Sequence, residues 1–580
     1  VLQLLIRGES IDLNEKASIS ITEESPVFER DSIPGGFSFP FDLPATPRNR
    51  RIFGHPDRIQ ITGRGRGEFP FQFFLEGRLI GTGTANIRKA TEQTFSAYLQ
   101  VATGDFAGKI SGKKLAEVDF GVPRPWAFKP EFTYPEDDFA LFPIYNENFM
   151  DETQYQTTWL GNHCRLNSYE SGDWYANFNA TMALSPFPFL AYVVGRVFNH
   201  FGFVVRENVL ATDPDLKKLV IYSNRDISTI TTSVTYKEIY FQGYNGMMSR
   251  MVPVTTITRH FDNWDMQGSM PDMLISDFIL AIRNLFNLVI VIDSQGFVSI
   301  IKRKNLVLSG HAVSLAGKAV RGPVVTPSLE SAGISLHWEH DPGDLLFSEG
   351  FKDVYENEKL LKSPVETMDD LAEIEPTLNE IRLVRSLGLY YQYAGEEVDE
   401  VMEYTWRKYS IDFQDFRLGA NPEEFTAKAS TLPMVHYQRE LGGAFIRCPQ
   451  AAQKSNSIIR KESTPCTLRL LFYHGMMADS VGTLYPYGSS DSFDRVGNPL
   501  PDSNLSIRWD GETGLYNQLW KDYLTWWKTK KMVTWIITDP TSLEFSKIYE
   551  IAGNHYLLKS RNIVLRDGKV EPSECEFYLL

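Results

Sequence analysis

The chain is 580 residues long, more than one hydrophobic core accommodates, so roughly three to five domains are expected. A composition of 43% hydrophobic and 23% charged residues excludes wholesale disorder, and a net charge of −15 argues against tight wrapping of nucleic acid through phosphate neutralisation. Cys164, Cys448, Cys466 and Cys575 are too few and too scattered for a disulfide scaffold, and no run reaches the roughly 18 apolar residues of a membrane span, so no stable membrane insertion is expected.

Alternating apolar and polar residues predict strands over 2–7, 17–22, 37–41, 58–62, 69–75, 78–84 and 94–101, and Glu76-Gly77 is a hairpin turn signal. Residues 1–115 therefore read as a β-barrel-like domain. Within it, residues 34–56 are rich in Pro and Arg, and their prolines favour extended or turn conformations. Arg48, Arg50 and Arg51, with Arg64 and Arg66 set among Gly63, Gly65 and Gly67, mark a candidate arm for docking on a partner subunit.

Residues 116–180 read as an irregular connecting segment. In the central region, 181–310, two stretches echo each other. Pro186 opens one helical pattern that includes Val193, Val197 and Phe201, followed by Gly202 and a β-type run. Pro271 opens another that includes Phe278, Ile282 and Phe286, followed by Asn287 and the run from Leu288 to Ile292. Each reads as helix, turn and strand, with Pro at the helix start and these apolar residues as packing positions. The intervening 228–251 favours strands, and Lys302-Arg303-Lys304 reads as a solvated strand end.

Residues 311–500 read as a β-rich domain with long loops, and 501–580 as a barrel-like unit. That last unit carries one amphipathic helix, on which Trp520 and Trp526 are packing candidates. Only two copies of the helix–strand unit occur, too few for a solenoid. The expected fold is thus multidomain, β-rich α+β. Barrel-like domains at the two ends flank a central α+β region with two helix–strand modules.

The chain carries no G-x-S-x-G elbow, H-E-x-x-H motif, Walker loop or EF-hand loop. His337 and His340 fall on a predicted strand where they face opposite sides, which disfavours a metal site. Glu136, Asp137 and Asp138 are sequence neighbours and diverge in direction, unlike the facing carboxyls of a glycosidase. No catalytic residue, metal or cofactor is expected.

The order of four segments resembles the baseplate or tail-tip hub proteins of tailed phages and prophages of Bacteroidota-type hosts. The first is Phe37-Ser38-Phe39-Pro40-Phe41 with 43–51; the second is 186–205 with 216–224. The third is 270–304; the fourth is 470–475 with 505–509, Gly511 and 514–520. The resemblance implies a structural protein of the virion tail, made in the host cytoplasm. It implies a homotrimer whose paired barrels form a pseudo-sixfold ring, joining the tail tube or a distal tail protein to a spike or tip protein. A tape-measure protein is a further implied partner, and DNA passes through transiently. An acidic wall suits that passage. Two other readings are a tail-associated cell-wall hydrolase and a receptor- or carbohydrate-binding tail protein using Tyr485, Tyr487 and Phe493.

Overall fold

The computed structural model describes residues 2–14, 18–28, 35–58, 69–101, 103–121, 129, 131–145, 165–167, 169–170, 173–174, 185–223, 229–243, 246–260, 266–293, 295–308, 311–326, 333–338, 365, 367–384, 389–398, 401–409, 416–419, 422–427, 430–431, 435–438, 443–447, 468–478, 482, 484–490, 492, 499–509, 511–566 and 569–580. Among the described residues strands dominate, and the largest unit is a 15-stranded sheet built from both ends of the chain, joined by Ala312–Ser314 and Ala319–Thr326 from its middle.

The local grammar of the N-terminal part follows the sequence. Glu76 and Gly77 both adopt left-handed conformations (φ 50° and 82°), which lets a two-residue turn place Leu75 opposite Arg78. In Thr94–Val101 every second residue is buried, so Phe95, Ala97, Leu99 and Val101 enter a core shared with Phe69, Phe71 and Phe73.

The ends of the chain are joined through backbone pairing. Ser18–Glu24 is hydrogen-bonded on one side to Gly36–Ser38 and on the other to Asn554–Arg566, antiparallel, from Ser18 opposite Arg566 to Glu24 opposite Ser560. The strand Asn554–Arg566 serves two cores. Tyr556 and Leu558 belong to the C-terminal core with Val533, Trp535 and Phe577, whereas Ile563 and Leu565 belong to the N-terminal core. Even-numbered and odd-numbered positions are both buried because the register against Ser573–Leu579 shifts between Leu558 and Ser560. Lys559 is the extra residue of a bulge, which offsets the two-residue alternation midway along the strand.

The C-terminal part forms a six-strand path that begins at Ala312–Ser314 and ends at Ala319–Thr326. A short turn connects these two ends, with Lys318 N donating to Leu315 O. The large sheet is curled. Its path ends at Glu9–Ser10 on one side and Ala319–Thr326 on the other.

The helices Leu190–His200 and Ile275–Leu285 are both present. Each begins later than the sequence pattern implies, so Pro186 and Pro271 do not occupy the first helical positions. Phe187–Pro188 instead pairs with Phe139–Ala140, and Leu274 bridges Lys114. Each helix turns through a left-handed residue, Gly202 (φ 85°) or Asn287 (φ 49°), into a strand. The two following strands, Val204–Asn208 and Leu288–Ile292, flank Phe297–Lys302 in a single three-stranded sheet, the first parallel to it and the second antiparallel.

The uninterrupted run Leu-Val-Ile-Val-Ile at 288–292 has a physical reason. Leu288, Ile290 and Ile292 face the helix core, while Val289 and Val291 join Ile548 and Leu557 of the C-terminal part. A strand covered on both faces needs no polar side.

The Lys302-Arg303-Lys304 cluster is not a solvated strand end. Arg303 is buried and donates to Asn287 Oδ1 (2.9 Å), with its guanidinium 5.0 Å from the Tyr523 ring centre. Lys302 pairs with Asp213. A cation this deep is tolerated because hydrogen bonds and a ring face replace its water.

Candidate assembly surfaces

Among the described residues no group of three or more His, Cys, Asp or Glu side chains is placed to hold a metal ion. His337 Nε2 lies 2.6 Å from Ser335 Oγ, and His340 is outside the described residues. Asp137 is engaged locally, accepting from Thr133 N at 2.7 Å and pairing with Lys129. A cleft of about 390 Å³ lies between the two halves of the large sheet, lined by Glu76, Arg78, Asp539 and Lys569 among others. Its charges balance, with Arg78 and Asp539 3.9 Å apart.

The described surface is distinguished instead by exposed apolar strands. The most extended is a two-stranded ribbon, Thr229–Gly243 paired with Gly246–His260 over all fifteen positions. Fifteen residues of strand span about 50 Å. Alternation sorts the side chains of 234–242 and 247–254 into two faces. One presents Ile239, Phe241, Met248 and Val254 with Lys237 and Arg250. The other presents Val234, Tyr236, Tyr240, Met247 and Met251 with Glu238. Exposure reaches 66% at Tyr236 and Tyr240 and 70% at Met247. Glu238 accepts a hydrogen bond from Tyr240 OH at 2.9 Å, and its acidity is strengthened by this bond and by one from Ser249, the larger cause.

A second exposed element is the terminal strand Ala319–Thr326, where Val320, Val324 and Val325 stand in solvent. A third is the hairpin Leu389–Val398 with Val401–Tyr409, which exposes Met402 and Tyr404. Phe37 and Phe39 are exposed beside the shared strand Ser18–Glu24.

The arginine stretch is not an extended arm over 47–53. Thr46 caps a short helix, Pro47–Phe53, by accepting from Asn49 N, and Pro47 occupies the first turn, where its missing N–H costs nothing. Gly54 (φ 75°) ends it. Arg48 pairs with Asp12 (3.0 Å), Arg50 with Asp57 (3.0 Å) and Arg51 with Glu9, all within the chain. Arg48 and Arg51 remain largely exposed. Arg64 and Arg66 lie outside the described residues, as do Cys164, Cys448 and Cys466.

The packing candidates converge on one core. Val193, Val197, Phe201, Phe278, Ile282, Phe286 and Trp520 are all buried in it, and Trp526 packs partly against it. Trp520 sits at the end of a π-helical turn, Tyr516–Trp520, that leads into Lys521–Thr529, and its Nε1 points at Leu285 O (3.4 Å). Trp526 is half-buried and donates to Leu579 O (2.9 Å), and Trp527 is buried and stacks on Phe28 with ring centres 6.0 Å apart. Tyr485 and Tyr487 are buried with Phe142 and Tyr473, and Phe493 is outside the described residues.

The exposed ribbon was legible in the sequence only as strands. Apolar residues fall on both of its faces, so no pattern marks one face as buried. No family model matches the chain, and no curated protein matches it. Among solved structures it is similar to the 43 kDa tail protein of prophage MuSo2 from Shewanella oneidensis, at 9% identity and a TM-score of 0.32, over 100% of this chain and 98% of that chain. Similarity at that level is looser than a shared fold.

Proposed function

We propose that the chain is a structural component of a phage-type tail. In this reading it is a homotrimeric hub at the tail tip, joining the tube to the distal tip or spike around a channel for DNA. The observation that carries the reading is the seam between Ser18–Glu24 and Asn554–Arg566, which holds two β cores of one chain on a single sheet. Two such units per chain let three chains offer six to a hexameric tube, the symmetry match that the four resembling segments imply.

Charge is consistent with a conduit. A net charge of −15 leaves little drive to neutralise phosphates, so passing DNA is not held. The exposed strands supply surface for the tube or distal tail protein, the spike or tip protein and the tape-measure protein. Arg48 and Arg51 are largely exposed, and their intrachain partners Asp12 and Glu9 would have to be exchanged for a partner subunit's acids in any docking.

The test is the mass and symmetry of the purified full chain, by light scattering and by imaging of single particles. The reading expects a threefold ring with a central opening. A monomer that associates with no tail component contradicts it.

A further inference from the structure

A two-stranded hairpin in water is marginally stable, and this one exposes apolar side chains on both faces over 234–242 and 247–254. Among the described side chains, 234–242 and 247–254, the faces differ in charge: one carries Lys237 and Arg250, the other Glu238. The three lie at one level of the ribbon, since Arg250 is paired with Ile239, next to Glu238 and two positions from Lys237.

We propose that the ribbon Thr229–Gly243 with Gly246–His260 is a self-association device. Ribbons of neighbouring copies stack with the cationic face of one against the anionic face of the next, so that Lys237 and Arg250 meet Glu238 of the partner subunit. This rests on the reading that several copies assemble.

The charges choose the occupant. A twofold contact between like faces sets Lys237 and Arg250 against their own counterparts, or Glu238 against Glu238. The unlike pairing avoids both, and a contact between unlike faces closes into a ring when its rotation closes. Every copy then has both faces covered, and no ribbon is left at an end. A lipid surface serves less well. Immersing the apolar length would draw Lys237, Glu238 and Arg250 into hydrocarbon at mid-ribbon.

Charge reversal in the full chain tests this, because the side chains are exposed and the fold does not depend on them. Glu238→Lys places three cations at one level of the contact. The oligomer's dissociation constant is expected to rise at least tenfold, by light scattering over a dilution series. Adding Lys237→Glu and Arg250→Glu to that variant exchanges the two faces and is expected to restore association. In the variant Glu238→Cys with Arg250→Cys the two thiols lie on opposite faces of one ribbon, so mild oxidation is expected to link separate copies into covalent multimers.

If the wild type is multimeric and Glu238→Lys leaves it so, the ribbon is not the contact, although assembly stands. Weakening without rescue by the exchanged variant overturns the unlike-face stacking. A wild type that is monomeric at every concentration overturns both readings, and flotation of that monomer with phosphatidylglycerol vesicles would assign the ribbon to a lipid surface instead.

Discussion

Glu23 and Arg561 stand directly opposite each other on adjacent strands, 538 positions apart in the chain, and form an ion pair with little access to water. Arg561 also donates to the carbonyls of Pro540 and Leu543. The pair thus ties together the N-terminal strand, the C-terminal strand and the loop over the C-terminal core. Removing one partner of such a buried pair strands the other charge. Glu23→Ala is expected to destabilise the protein by about 3 kcal/mol. Urea unfolding checks this, and an unchanged midpoint counts against a structural seam.

Lys559 is the residue that shifts the alternation between the two cores. Deleting it, rather than substituting it, would turn Ile563 and Leu565 away from the N-terminal core. The deletion is expected to yield insoluble or molten protein, while Lys559→Gln folds. Circular dichroism and soluble yield of the two variants separate these outcomes.

Trp520 is completely buried beneath the two central helices, whereas Trp526 is only half-buried. Trp520→Ala is expected to cost about 3–5 kcal/mol, as large-to-small changes in a packed core do, and Trp526→Ala clearly less. Parallel denaturation curves measure the difference, and equal costs contradict the packing described.

Glu576 links the seam to pH. Burial alone would raise its pKa, but hydrogen bonds from Lys559 and Ser560 outweigh it and hold the carboxyl below its ordinary value of 4.5. A folded value below the unfolded one contributes stability above the unfolded value, and that stability is lost as pH falls through the folded one. Unfolding free energy is expected to fall between pH 5 and the folded value, and Glu576→Gln to flatten that fall. The effect is small because both partners are about one-third exposed.

Cys575 is buried in the C-terminal core, and burial pushes its thiol up to about 12. Native protein is expected to leave Cys575 unlabelled by a thiol reagent at pH 8, with full labelling in denaturant. Peptide mapping by mass spectrometry reads the site directly.

What could be read from the sequence was local. Glu76-Gly77 gave its hairpin because two left-handed residues need such a pair, and Phe278, Ile282 and Phe286 gave their helix through spacing alone. The helix at Pro47 does not follow from prolines that favour extended or turn conformations, although Thr46 before Pro47 is a cap signal. Pro186 and Pro271 misled in the opposite direction, because residues after each are taken by pairing with distant segments. The partnership of Ser18–Glu24 with Asn554–Arg566 leaves no periodic trace, since pairing choice depends on register and packing far away in the chain. Tyr485 and Tyr487 looked available for a ligand because alternation does not say which face is covered. For the same reason the exposure of 234–242 and 247–254 has no signature in the sequence.

We propose that this chain assembles around an axis. Single-particle imaging of the purified full chain tests it most directly. Particles of three chains with threefold symmetry around an open centre are expected. A homogeneous monomer, at concentrations where tail proteins assemble, would contradict it.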